Sequence, residues 1–341
     1  MTRQSTQMVA LLASLTLAGA MLGATAGPLY RVTKSVPLGA PDRWDYVVFD
    51  PDSHRVYVAH GDRVTVVDGQ SGTLVGEVSG LPGGTHGTAI VTAQGKGYTD
   101  DGEAGVAAAF DLKTLKVIKR IKADADADAV VYEPTSGHVF VVNGDTGTLT
   151  VIDPKQDVAV ATIQGGGKLE SAVVGASGTL YVNGAAKREI LKIDTRTNTI
   201  TARWPVATCE SPHGLAFDSK ARRLFTTCRN KQMVIVDAQG GSVLGTAPIG
   251  AGTDGAAFDP KRQRAFSSNS QDGTISVIET GDAQRFAPLE PVPTRVTGRT
   301  MDIDPATGRL YVAVATLQDP ASRDRKVKPG SLELLFLDPL P

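Results

Sequence analysis

The sequence predicts an all-β fold, a seven-bladed β-propeller of four-stranded antiparallel blades, from three observations. A unit of two apolar residues, Phe-Asp-Pro, a short turn, an aromatic among small or β-branched residues and a closing Val-x-Val-x-Asp recurs along the chain. Its first anchor falls at Phe49, Ile90, Tyr132, Val174, Phe217, Phe258 and Ile303, in steps of 41 to 45 residues. Composition agrees: 37 glycines, 5% aromatics, no long apolar helical stripe, and short Val/Ile/Thr-rich runs between Gly, Asp and Asn, the pattern of many short strands. A period of 40 to 45 residues with several strands per unit is the signature of a propeller, whose blades bury their faces only against their neighbours.

In chain order, residues 1–26 read as a secretory signal. One Arg precedes the apolar stretch MVALLASLTLAGAML, and Ala24 and Ala26 are the small residues before a cleavage placed after Ala26. That apolar run is shorter than the roughly 20 residues a bilayer crossing requires, and no transmembrane segment is expected in the mature chain. Residues 27–341 then form a single propeller, with blades starting near 45, 86, 128, 170, 213, 254 and 299. The clear copies include VVFDPDSHRVYVAH, AVVYEPTSGHVFVVN and GLAFDSKARRLFTTC, whereas TAIVTAQGKGYTDD and AVVGASGTLYVNG are degenerate. An aromatic follows the anchor by eight residues, or seven at Tyr181, and an acidic residue closes the third strand of every unit, from Asp68 to Asp338. A weaker fourth strand follows, as in TLVGEVS and TLKVIKRI. The last unit has none. The stretch 29–38 has no blade of its own and is expected to be the outer strand of the last blade, closing the ring.

The runs RVYVAH, HVFVVN, TLYVNG and RLYVAV, each followed by a Val-x-Val-x-Asp-like strand, resemble the YVTN-repeat family of bacterial exported seven-bladed β-propellers. The resemblance covers essentially all of the mature chain and implies a periplasmic or secreted protein. WD repeats fit worse, because no copy ends its third strand in Trp-Asp. The family is specific for fold and weak for function.

Strand 1 of each blade lies nearest the axis, so its first residue sits at one mouth of the channel. Four residues before each anchor stand Asp45, His86, Asp128, Glu170, His213, Asp254 and Arg299, all ionisable. Two readings are open: polar lining that satisfies loop backbone and water, or a ring that holds a small ligand or a metal ion. For a divalent metal, His86 and His213 with Asp45 and Asp128 are the candidate ligands. The second strands are expected to end at the same mouth, with His60, Asp101, Asn143, Cys228 and Asn269. Asp124, Asp126 and Asp128 alternate, but the run lacks the later Gly and Glu of a helix–loop–helix calcium site. An extended loop would turn all three to the mouth.

Cys209 and Cys228, the two cysteines, fall on neighbouring strands and are expected to form a disulfide in an oxidising compartment; a thiol metal ligand is the alternative. Residues 315–330 interrupt blade 7 with Arg323, Arg325, Lys326 and Lys328, read as a flap, a patch for an acidic partner or a solvated loop. Gly250-x-Gly252-x-x-Gly255 precedes a strand, not the helix that dinucleotide binding requires. Without the first 26 residues the chain carries 34 basic and 36 acidic residues, which argues against nucleic acid as a partner.

The functional expectation is an exported, monomeric, non-catalytic propeller presenting its mouth to a small molecule, a metal ion or a periplasmic protein. The alternatives are a metal-dependent, lactonase-like hydrolase or lyase using the carboxylate/His ring, and a metal-handling or redox-partner protein.

Overall fold

The computed structural model describes Met1 and residues 29–282, 285–322 and 324–340. The expected signal segment after Met1, its cleavage point at Ala26, and Arg323 lie outside these. Seven antiparallel sheets follow one another along the chain. Their innermost strands are Val47–Asp50, Thr88–Val91, Ala127–Glu133, Leu169–Val174, Pro212–Asp218, Thr253–Asp259 and Met301–Ile303. Each packs against the next, and the seventh packs against the first, so the ring is closed.

Closure comes from the strand expected to supply it. In blade 7, Met301–Ile303, Leu310–Val314 and Glu333–Pro339 are completed on the outside by Tyr30–Pro37. The register runs antiparallel from Tyr30↔Pro339 to Pro37↔Glu333. Blade 6 departs from the regular form. Its outer strand is split into Ala287–Pro288 and Val292–Pro293, since proline cannot donate to a ladder and is tolerated at an edge.

The repeated residues acquire distinct jobs. The second-strand aromatics Tyr57, Tyr98, Phe140, Tyr181, Phe225, Phe266 and Tyr311 are all at most 4% exposed. Several pack across blade boundaries, as Phe49 on Tyr311 (ring centroids 5.3 Å apart) and Phe225 on Phe258 (5.3 Å). The recurrent acidic residues make turns. Asp68 Oδ1 accepts the Gln70 and Ser71 amides, Asp111 those of Lys113 and Thr114, and Asp259 those of Lys261 and Arg262, the side-chain-capped turn that Asp favours.

The blade-7 insertion is a hairpin rather than a free flap. Leu317 bridges Val327, the Gln318 amide donates to the Lys326 carbonyl, and Arg325 reaches the Ser270 carbonyl of blade 6. Asp42 ties its far end by accepting the Gly330 and Ser331 amides. Cys209 and Cys228 are disulfide-bonded, with both side chains fully buried. Among the described residues no helix is long and apolar enough to cross a membrane.

Candidate functional site

The inner strands enter the ring by a recurrent local device. Two positions before the expected mouth residue, the backbone takes a left-handed conformation at Gly84, Asp126, Ser211, Gly252 and Thr297. In blades 3 to 6 the ladder then slips, between Ala127 and Val130, Leu169 and Ala172, Pro212 and Leu215, and Thr253 and Ala256. Such bulges re-aim side chains, and here they turn the mouth residue out of the blade toward the axis. The next backbone position crowds the adjacent blade. A Cβ on Gly87 would lie 2.3 Å from the Val130 amide, and one on Gly214 2.6 Å from the Ala256 amide, so glycine permits the contact.

The result is one polar cavity of about 230 Å³. All seven mouth residues line it, joined by Tyr46, Asp126, Lys168, Ser171, Arg229 and Thr300. One arc is internally compensated. Arg299 Nε donates to Asp254 (2.7 Å), with Asp45 3.7 Å from its Nη2. Arg229 donates to His213 Nε2 (2.6 Å) and lies 3.7 Å from Asp254, while Lys168 stands 3.7 Å from Glu170. His213 Nδ1 faces the Ser211 carbonyl (3.0 Å), which assigns its proton to Nδ1 and leaves Nε2 to accept from Arg229. Burial and the Arg229 charge accordingly hold this imidazole below its ordinary pKa.

The other arc is different. His86 Nδ1 bonds Asp100 at 2.7 Å, and Asp100 also accepts the His86 and Gly87 amides. Burial acts to lower the His86 pKa, but the Asp100 bond and charge, with Asp128 and Asp45, outweigh it and lift it to about 9. Its Nε2 has no hydrogen-bond partner among the described residues. Neither the Asp128 nor the Asp126 carboxyl has a hydrogen bond or ion pair there. Burial, then the Asp45 charge, pushes Asp128 well above the usual carboxylate range, with His86 pulling the other way. Burial also raises Asp45 to about 6, against Arg299, and Glu170 to about 7, against Lys168. Of these carboxyls, Asp128 alone both resists ionising and lacks a partner among the described residues, with His86 the strongest influence that pulls the other way.

Several expectations change. Asp124 does not face the cavity: with Asp126 left-handed (φ 57°), the loop is not extended, and Asp124 is bonded instead by Thr148. The second strands do end at this face, where Asn143, Cys228 and Asn269 pair with Ala127, Pro212 and Thr253, but their last residues do not line the cavity. His60 is fully buried between Thr65 and Pro41, and Asn143 and Asn269 each reach two hydroxyls of the neighbouring third strand. The four candidate metal ligands line the cavity, yet among the described residues no three His, Cys, Asp or Glu side chains converge as a metal-holding group. Sequence reasoning missed Asp100, Lys168 and Arg229. Asp100 was discoverable as the penultimate residue of its strand; Lys168 shares the register position of Asp126 and Arg229 follows Cys228 directly, but neither residue type recurs there from blade to blade.

Beneath the mouth, the Tyr46 hydroxyl meets the Ser171 hydroxyl at 2.9 Å, linking blade 1 to blade 4. Both residues also line a second, larger cavity of about 410 Å³, so they form a wall between two chambers.

No model of a known protein family matches the chain. It is similar to "Uncharacterized protein YncE" of Salmonella typhimurium, 26% identical over 224 residues, 60% of this chain and 62% of that protein. The corresponding protein of Escherichia coli O157:H7 is 24% identical over 203 residues, 54% of this chain and 57% of that one. The match thus spans about three fifths of the length of these curated relatives. Among solved structures, a chain of Kuenenia stuttgartiensis hydrazine synthase superposes with a TM-score of 0.69 at 14% identity, covering 88% of this chain and 96% of that one. The RRP9 WD40 repeats give 0.75 at 10% identity, covering 92% and 99%. Likeness at such identity shows the propeller fold alone.

Proposed function

We propose that the protein is a non-catalytic binding propeller whose channel mouth holds a small organic cation. The observation that carries this reading is the Asp128 carboxyl, which enters the cavity beside Asp126 without hydrogen bond or ion pair among the described residues, while the basic groups opposite are occupied by Asp45, Glu170, Asp254 and His213. An ammonium group placed there would neutralise Asp128, favour its ionised form and supply the donors its oxygens lack. The cavity's size suits a ligand of a few carbons. The Cys209–Cys228 bridge supports work in an oxidising compartment, in keeping with the expected signal segment and the YVTN-like runs.

Calorimetric titration with 1,4-diaminobutane at pH 8 tests the reading. Binding is expected, weakened at least tenfold in Asp128→Asn and weakened in the parent protein at pH 5.5, where Asp45 and Glu170 hold protons. No heat with the diamine, or equal affinity in parent and variant, overturns it.

A further inference from the structure

We propose that the opposite half of the channel is a second ligand site, taking a small molecule with an apolar body and one amine. This chamber shares Tyr46, Ser171 and Thr300 with the mouth and otherwise has its own lining. It occupies about 410 Å³ and runs along the inner strands from the Tyr46–Ser171 wall to Pro51 at the other face, a size typical of small-molecule sites. Its lining inverts the mouth's chemistry. Val48, Ile90, Val131, Val174 and Ala256 face the lumen and are only partly buried. Polar lining would satisfy a channel that merely holds water, whereas aliphatic surface left in contact with water is covered favourably by an apolar guest, at about 25 cal/mol per Å².

Asp302 stands in this lining without a counterion among the described residues. Asp302 accepts the Phe49 amide (2.7 Å) on one oxygen and the Ile303 amide (2.8 Å) on the other. Those two bonds orient the carboxylate and leave a lone pair on each oxygen. Among the described residues it has no ion pair. Burial raises it to about 6, against the two amide bonds that lower it, so it is ionised at neutral pH. Asp50, which also lines the chamber, is turned away into its own turn, accepting from Ser53. A partly buried carboxylate among aliphatic side chains is complementary to a cation whose remainder is apolar. An anionic guest would be repelled, and a strongly hydrated inorganic cation would gain nothing from the aliphatic walls.

Saturation-transfer NMR and calorimetry with 2-phenylethylamine test the assignment, beside 2-phenylethanol and 3-phenylpropionate, which have a similar body with neutral or negative charge. The amine is expected to bind at least tenfold more tightly than the alcohol, and the acid not to bind. Asp302→Asn should abolish the preference for amine over alcohol, and Asp128→Asn, in the other chamber, should preserve it. Should Asp302→Asn fail to fold, Val48→Phe reads the same chamber by filling it, with a melting curve as the control for folding. Amine binding that survives Val48→Phe, that is lost in Asp128→Asn, or that matches the alcohol's overturns the proposal. Failure of diaminobutane to bind would leave it standing, because that probe reads the mouth.

Discussion

Asp128 illustrates how a buried carboxyl at the channel mouth weighs on the protein that carries it. Burial and its acidic neighbours hold it well above the usual carboxylate range, with Asp45 at about 6 and Glu170 at about 7. In the unfolded chain the same groups release their protons near pH 4. From about pH 4 to 7 the folded state therefore binds more protons, and stability falls as pH rises. His86, raised to about 9, acts in the same direction: its contribution is complete below about 6.5 and lost as pH rises through 9. Carboxylates held low, Glu333 and Asp338 by their arginines, set a separate acid limb below about pH 4. The melting temperature is thus expected to fall from pH 5.5 to 8.5. Asp128→Asn should flatten the decline and stabilise by on the order of 1 kcal/mol at pH 8. Melting curves that rise with pH, or a destabilised variant at pH 8, would count against the site's electrostatics. The ring of seven was legible because a strand register fixes where each inner strand begins. Arg229 and Lys168 were not, since their approach depends on loop conformation. Asp124 misled because alternation implies one face only while the backbone stays extended, and Asp126 breaks it.

At the scale of single elements, the disulfide in blade 5 couples stability to the site. Cys228 ends the second strand, and the next residue, Arg229, donates to His213 at the start of the same blade's inner strand. Cys209 lies on the loop before the inner strand, and its amide bonds the Val206 carbonyl. In the loop-entropy account a bridge closing about 20 residues stabilises by about 3 kcal/mol. Cys209→Ser/Cys228→Ser is expected to lose roughly that amount in denaturant unfolding and to weaken the Arg229–His213 contact. An NMR titration of His213 would read the second effect as a pKa that rises toward 6.5. An unchanged midpoint would show that the bridge adds nothing beyond the surrounding packing. The bulges at the inner strands were not legible in sequence. They arise where a strand that starts near the crowded axis must turn its first side chain away from its own blade, and no residue type marks them uniquely.

For the whole molecule, the repeat period sufficed to give seven blades, because each unit must bury its faces against its neighbours and therefore keeps its register. The period did not foresee the split outer strand of blade 6, where Pro288 and Pro293 break a ladder that spacing alone would draw as continuous. Nor did it foresee the hairpin of residues 315–330, which follows no repeat. Removing residues 29–38 is expected to uncover the edge of Glu333–Pro339, whose Leu334, Leu335, Phe336 and Leu337 are at most 1% exposed. An uncovered strand of that kind pairs with other molecules, so light scattering should find oligomers, and a variant that stays monomeric would show the outer strand to be dispensable. The same pairing has a consequence in time. Tyr30 meets Pro339 across some three hundred residues, a loop closure that costs about 5 kcal/mol of chain entropy. The blades can form one after another from local contacts, but the seam cannot be sewn until residue 339 has been synthesised. Folding should therefore end in a slow step that joins the earliest-made strand to the latest, with an open, sticky-edged ring as the species a cell must shield until then.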